Sequence, residues 1–204
     1  GVLEGLVGRL HDHVVGALKT MVGLARKSYA VLVPAAGADL RAWPIASFAE
    51  MGRRLAAQGL GLVLVGGSGD RPAAQSLLRE LPGNAVDFTG RTTLGELAAI
   101  LADARLVVSN ETGAAHIAAA AGAPVVCVMG GGHYGRFMPY QLEEGAGGAT
   151  LLHTVARQMD CFGCNWRCIY PRLPGEAAKC VKDVALEEFW QQVAACLAQA
   201  ESRA

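Results

Sequence analysis

The sequence carries no excess charge of either sign: 18 Lys and Arg balance 18 Asp and Glu over 204 residues. Proteins that hold nucleic acid through its backbone need a basic surplus, so the balance speaks against that class of partner. No uncharged apolar run reaches the roughly 18 residues of a membrane-spanning helix. The opening residues include Glu4, Arg9 and Asp12 in place of a charged head and an apolar heart, so no secretory signal is expected there. Six cysteines are too few for a disulfide scaffold of this size. Without an export signal, a reducing cytoplasm is the expected setting. Several catalytic signatures are also missing: there is no G-x-x-x-x-G-K-[ST] phosphate loop and no G-x-S-x-G elbow. No D-x-D pair is present either, so a metal-free site is expected.

What is there is a hydrophobic chain, 52% apolar and 18% charged, as globular domains are. Residues 2–26 place Leu3, Val7, Leu10, Val14, Leu18, Met21 and Ala25 at three- and four-residue spacing, the stripe of an amphipathic helix. Beyond it, strands and helices alternate. Strands are expected at 29–34, 60–67, 84–90, 105–110 and 123–130, with a sixth at 149–153. Helices are expected at 44–59, 70–81, 92–104, 113–122 and 184–200. The strands are continuous apolar runs and the connections are short, the pattern of a parallel sheet covered on both faces. A doubly wound α/β sheet in the order 3-2-1-4-5-6 follows. Its ligand crevice would lie beyond the carboxyl ends of the first and fourth strands.

Those two ends read "PAAGADLRAWP" and "SNETG". Thr112 and Gly113 open an alanine-rich helix, whose start has free N–H groups suited to phosphate oxygens. Gly113 removes a side chain that would keep a phosphate away. The alternative is that Thr112 only caps the helix and the alanines only pack closely. His116 lies in the first turn, where the helix dipole disfavours its protonation; it is either a ligand contact or a structural residue. Glu111 would repel phosphate, so it reads as an acceptor for sugar hydroxyls or as a solvated loop acid. Arg41 is placed to clamp a diphosphate, or is an exposed loop arginine. Asp70, in "GGSGD", reads as a ribose contact or as the cap of the next helix. That glycine pair is not a G-x-G-x-x-G fingerprint and follows the second strand, which argues against a dehydrogenase.

The segments "VLVPAAGADLRAWPIASFAEMGRRL", "LVLVGGSGD" and "TGRTTLGELAAILADARLVVSNETGAAHIAAAAGAPVVCVMGGG" together resemble the carboxyl-terminal half of glycosyltransferase family 9, the ADP-heptose:lipopolysaccharide heptosyltransferases. The resemblance covers about residues 30–140. It implies a Rossmann-like domain, the donor-binding half of a GT-B enzyme, with the acceptor site and catalytic base in another domain. It implies that Arg41 faces the diphosphate and that Asp70 stands near the ribose. Thr92 then belongs to the adenine pocket, and Glu111 replaces an aspartate near the sugar. Thr112, Gly113 and His116 match the phosphate-binding turn, and Arg41 and His116 would stabilise the leaving group. It further implies an ADP-sugar donor, a glycan or lipid A–core acceptor, and no cofactor. The setting would be cytoplasmic or peripheral at the inner face of a bacterial inner membrane.

On this reading residues 29–204 are the nucleotide-sugar domain. Residues 1–28 are a linker helix or the remnant of a missing amino-terminal domain, whose place a partner subunit could also take. A non-catalytic nucleotide-binding or assembly module is the alternative function, and a GT-B-like nucleotide-sugar epimerase is a third. A cysteine-rich loop at 160–181 holds Cys161, Cys164, Cys168 and Cys180. Structural zinc, an iron–sulfur cluster, disulfides and reduced thiols are all open to it. In each case its task is to fix a loop without regular structure, with Trp166 as apolar anchor.

Overall fold

The computed structural model describes residues 24–140 and 151–201. The expected opening helix lies outside the described residues up to position 23. From there, residues 24–28 form an irregular turn, so the helix does not extend to residue 26.

The strands are β1 (Tyr29–Val33), β2 (Gly61–Leu64), β3 (Val86–Asp87), β4 (Leu106–Asn110), β5 (Val125–Val128) and β6 (Leu152–Val155). The helices are α1 (Ile45–Ala57), α2 (Arg71–Leu78), α3 (Leu94–Ala102), α4 (Gly113–Ala120), α5 (Lys179–Lys182) and α6 (Leu186–Glu201). All five strand pairings are parallel, in the order β3-β2-β1-β4-β5-β6. The expected 3-2-1-4-5-6 winding is therefore realised. β3 keeps only two residues of the seven-residue run; beyond it the Asp87 carboxylate accepts the Thr89 N–H, while Phe88 and Gly90 N–H still donate to the Leu64 and Gly66 carbonyls.

Alternation along the strands divides the core. Ala30 and Leu32 of β1 face α1, α2 and α6, joining Phe48, Met51, Leu55, Leu77, Phe189 and Val193. Tyr29, Val31 and Val33 face α3 and α4, joining Ile100, Leu101, Ala115 and Ala118. Strands buried on both faces must be apolar throughout, which is why their sequence lacks the in–out alternation of a one-sided sheet. The small residues of α4 let it lie close against β4 and β5.

The reversal of strand order falls between β1 and β4, which pair from Ala30↔Leu106 to Val33↔Ser109. Asn110, fully buried at the end of β4, fastens this point. Its Nδ2 donates to the Pro34 carbonyl at 2.7 Å, and its Oδ1 accepts from the Trp43 N–H at 2.9 Å. One side chain thus ties both ends of the loop after β1 to the end of β4. Trp43 anchors the far end of that loop, packed between Phe48 and Phe189 with its Nε1–H on the Val184 carbonyl.

Candidate functional site

The loop after β1 forms a short 3-10 turn, Asp39–Arg41, that carries Arg41 toward the end of β4. Gly37 has φ +66°, and a Cβ there would stand 3.1 Å from the Arg41 guanidinium, so glycine lets the cation lie over the loop. A cavity of about 340 Å³ is lined by Ala36, Gly37, Arg41, Glu111, Thr112, Gly113, His116, His133 and Phe137. Arg41, Glu111, Thr112, Gly113 and His116, named from sequence, therefore meet in one place. Asp70 lies in the lining of a neighbouring cavity of about 800 Å³, which shares Ala36 and Gly37 with the first. Thr92 lines neither. Its neighbour Thr93 caps α3, accepting the Glu96 N–H while Glu96 accepts from the Thr93 N–H.

Thr112 has extended N-cap backbone angles, yet its side chain makes no capping bond, and its buried Oγ1 has no partner among the described residues. The capping alternative for its hydroxyl is thus not realised. Oε2 of Glu111 is likewise buried and unpaired. Burial pushes the Glu111 carboxyl above its ordinary range, against the opposing pull of His133 and then Arg41. Among the described residues, a Cβ at Gly113 would meet nothing within 4 Å. Unpaired buried oxygens cost stability unless something fills their demand. Here two of them flank an open helix start.

His116 is held neutral by burial, its pKa lowered. Its Nδ1 stands 2.5 Å from the Tyr140 hydroxyl. Burial also raises the Tyr140 pKa, so the phenol keeps its proton. When the phenol donates, the ring hydrogen is on Nε2, and the imidazole offers a hydrogen-bond donor from the first helical turn. Asp70 takes a local role with one oxygen: its Oδ2 accepts the Gly67 N–H at 2.8 Å. A Cβ at Gly66 would collide with the same carboxylate, so the space beside that glycine is already occupied.

His133 and Phe137 were not foreseen as site residues, and Asn110, in the "SNETG" loop, was not foreseen as the fastener of the loop after β1. Asn110 carried a signal, an amide ending an apolar strand, but its two partners are distant in sequence. His133 ends a short 3-10 turn after β5 and Phe137 follows it, and no spacing rule links them to β4.

The cysteine-rich segment wraps the glycine turn after β5. Gly163 N–H donates to the Gly131 carbonyl and Asn165 N–H to that of Gly132. Phe162 and Trp166 place their rings where Gly131 and Gly132 lack side chains. All six cysteines are free thiols. Cys161, Cys164 and Cys168 stand near enough to act electrostatically on Cys180, whose thiol is pushed up chiefly by burial and takes the Gly131 N–H. Among the described residues, however, no group of three or more His, Cys, Asp or Glu side chains is arranged to hold a metal ion. No helix among the described residues is long and apolar enough to cross a membrane.

Comparison with known proteins agrees with this architecture. Residues 10–164 match the family model described as glycosyltransferase family 9 (heptosyltransferase). A lipooligosaccharide heptosyltransferase 2 from Haemophilus influenzae is 31% identical over 121 residues, which is 57% of this chain and 34% of the relative. The solved ADP-heptose lipopolysaccharide heptosyltransferase II of Escherichia coli superposes with a TM-score of 0.69 at 18% identity, over 93% of this chain and 53% of that one. A dodecameric iron-containing heptosyltransferase, solved with ADP-D-β-D-heptose, gives a TM-score of 0.63 at 16% identity, over 87% and 47%. The chain thus spans about a third of the curated relative and about half of the solved structures. With a family match over more than half its length and the strand order of a GT-B half, the chain belongs to glycosyltransferase family 9.

Proposed function

We propose that this chain is the carboxyl-terminal, donor-binding half of an inverting glycosyltransferase, and that it holds an ADP-heptose-like nucleotide sugar for transfer to a lipopolysaccharide or related glycan. The observation that carries this reading is the convergence of Arg41, Glu111, Thr112, Gly113 and His116 on one cavity at the strand switch point. The diphosphate lies between the Arg41 guanidinium and the start of α4, with the Thr112 hydroxyl and His116 Nε2–H as further donors. Glu111 faces the sugar and accepts from its hydroxyls. The ribose lies toward the Asp70 side, where one carboxylate oxygen remains, and Thr92 borders the adenine.

In the reaction an acceptor hydroxyl attacks the anomeric carbon and the nucleoside diphosphate leaves. Fixed donors must meet the charge that develops on the departing oxygen. Arg41, from the turn after β1, and His116, from the first turn of α4, serve that role. The catalytic base is assigned to a separate acceptor domain, so the 204-residue chain alone is expected to bind donor without transferring sugar; labelled transfer to a lipid A–core acceptor by this chain would refute that. The thiol quartet takes no part in the chemistry. As arranged it does not fit a metal, and elemental analysis under reducing conditions checks this: one zinc or iron per chain would mean that the quartet closes on an ion.

Calorimetry with ADP tests the binding site. Arg41→Ala and Thr112→Ala should each weaken binding, by about 1.5–3 kcal/mol for a charge-assisted contact. Equal affinity in all three proteins would remove the site. Binding without turnover, even when an acceptor domain is supplied, would favour the non-catalytic module.

A further inference from the structure

The cysteine-rich segment reaches the donor cavity through one imidazole. We infer that His133 is a sugar-contacting residue that accepts a hydrogen bond from a donor-sugar hydroxyl, and that Asn165 is the positioning residue that sets its ring. The inference rests on the nucleotide-sugar reading above.

His133 lines the cavity together with Glu111 and Arg41. Its Nε2 lies 3.0 Å from Oδ1 of Asn165. An amide oxygen only accepts, so Nε2 must carry the hydrogen. In the neutral ring Nδ1 is then a bare acceptor, without a partner among the described residues. Phosphate oxygens are acceptors as well and cannot pair with it, whereas a sugar hydroxyl can. Glu111 lines the same cavity and offers a second acceptor there. Two acceptors side by side suit a polyhydroxylated ring and not a diphosphate.

The ring's orientation is tightly determined. Trp166 packs edge-on to it at 5.7 Å and Phe137 at 5.6 Å. Asn165 and Trp166 both hold left-handed backbone angles, φ +50° and +63°, which non-glycine residues adopt at a cost. Such a pair persists only where its surroundings over-determine it. Here the Trp166 ring fills the space above Gly130 and Gly132, and the Asn165 N–H is bound to the Gly132 carbonyl. The strained pair delivers the Asn165 amide to His133 and the Trp166 ring beneath it. The loop thus sets the tautomer of the ring, although none of its own side chains lines the smaller cavity.

The test compares ADP with ADP-heptose by calorimetry on the intact chain, His133→Ala and Asn165→Ala. His133→Ala should lose about three- to tenfold in ADP-heptose affinity, the effect of one neutral hydrogen bond, with ADP affinity unchanged. Asn165→Ala, at an exposed side chain, should move in the same direction by less. Ring 15N shifts should report the Nε2–H tautomer in the parent chain and a mixture in Asn165→Ala. A packing role would move both ligands together, so equal losses for ADP and ADP-heptose overturn the inference. So does unchanged ADP-heptose binding in both variants while Arg41→Ala still weakens both ligands; that result leaves the donor-site reading standing. If the parent chain binds neither nucleotide, the reading and the inference fall together.

Discussion

Two glycine-bearing turns at the carboxyl edge of the sheet use the same residue for opposite ends. At the start of α4, Gly113 is exposed and a Cβ would meet nothing within 4 Å. After β5, Gly130, Gly131 and Gly132 are buried, and Cβ atoms there would fall 2.5, 2.2 and 2.3 Å from the rings of Trp166, Phe162 and Trp166. The first turn leaves room outside the protein. The second makes room for the protein's own aromatic side chains. A glycine cluster in sequence therefore marks close approach without saying of what. The "GGSGD" turn makes the same point, since Asp70 and Thr89 occupy the space over Gly66.

Adding one methyl group to each turn tests the contrast. Gly131→Ala should have the largest effect: a methyl 2.2 Å from the Phe162 ring forces the loop off its seat, at a cost of about 2–3 kcal/mol in denaturant unfolding. If stability is unchanged, the loop does not depend on the glycine turn. Gly113→Ala should behave oppositely, leaving stability unchanged or raised by about 0.5 kcal/mol while ADP binding weakens. Undiminished ADP affinity in that variant would show that the open space over α4 is not where the phosphates lie.

The smallest effect concerns Glu111 and is a dependence on pH. Its carboxyl pKa is raised by burial, so the folded chain holds that proton more tightly than the unfolded chain. The group's contribution is fully present below the ordinary carboxylate pKa of about 4.3 and is lost as pH rises through the folded value. Glu111→Gln removes that loss. Melting temperatures of the two proteins should converge in acid, and the variant should be the more stable at neutral pH. A parent chain equally or more stable at neutral pH would mean that the carboxylate is satisfied when empty of ligand. The same substitution should impair ADP-heptose binding more than ADP binding.

Much of the site was legible in the sequence because its parts sit where regular elements end. Apolar runs of strand length mark the ends of β1 and β4, and Arg41, Glu111, Thr112, Gly113 and His116 follow those ends directly. Asp70 and Thr92 were legible as strand- and helix-end residues too, but whether a carboxylate turns outward or back onto its own Gly67 N–H depends on a local torsion that no pattern encodes. The thiol quartet was visible as a cluster, while its spacing left metal, disulfide and free thiol equally open.

What the sequence determined by itself is what depends on periodicity and on chain order. Two-sided apolar strands, helices of matching length and short connections admit few parallel topologies, and the order β3-β2-β1-β4-β5-β6 was among them. What only the tertiary structure decided is every contact between segments far apart in the chain. Asn110 bonds across 67 residues to Trp43, and Asn165 reaches back 32 residues to His133. Such pairs arise from the packing of irregular loops, in which hydrogen-bond demand and ring shape, and not repeat length, select the partner.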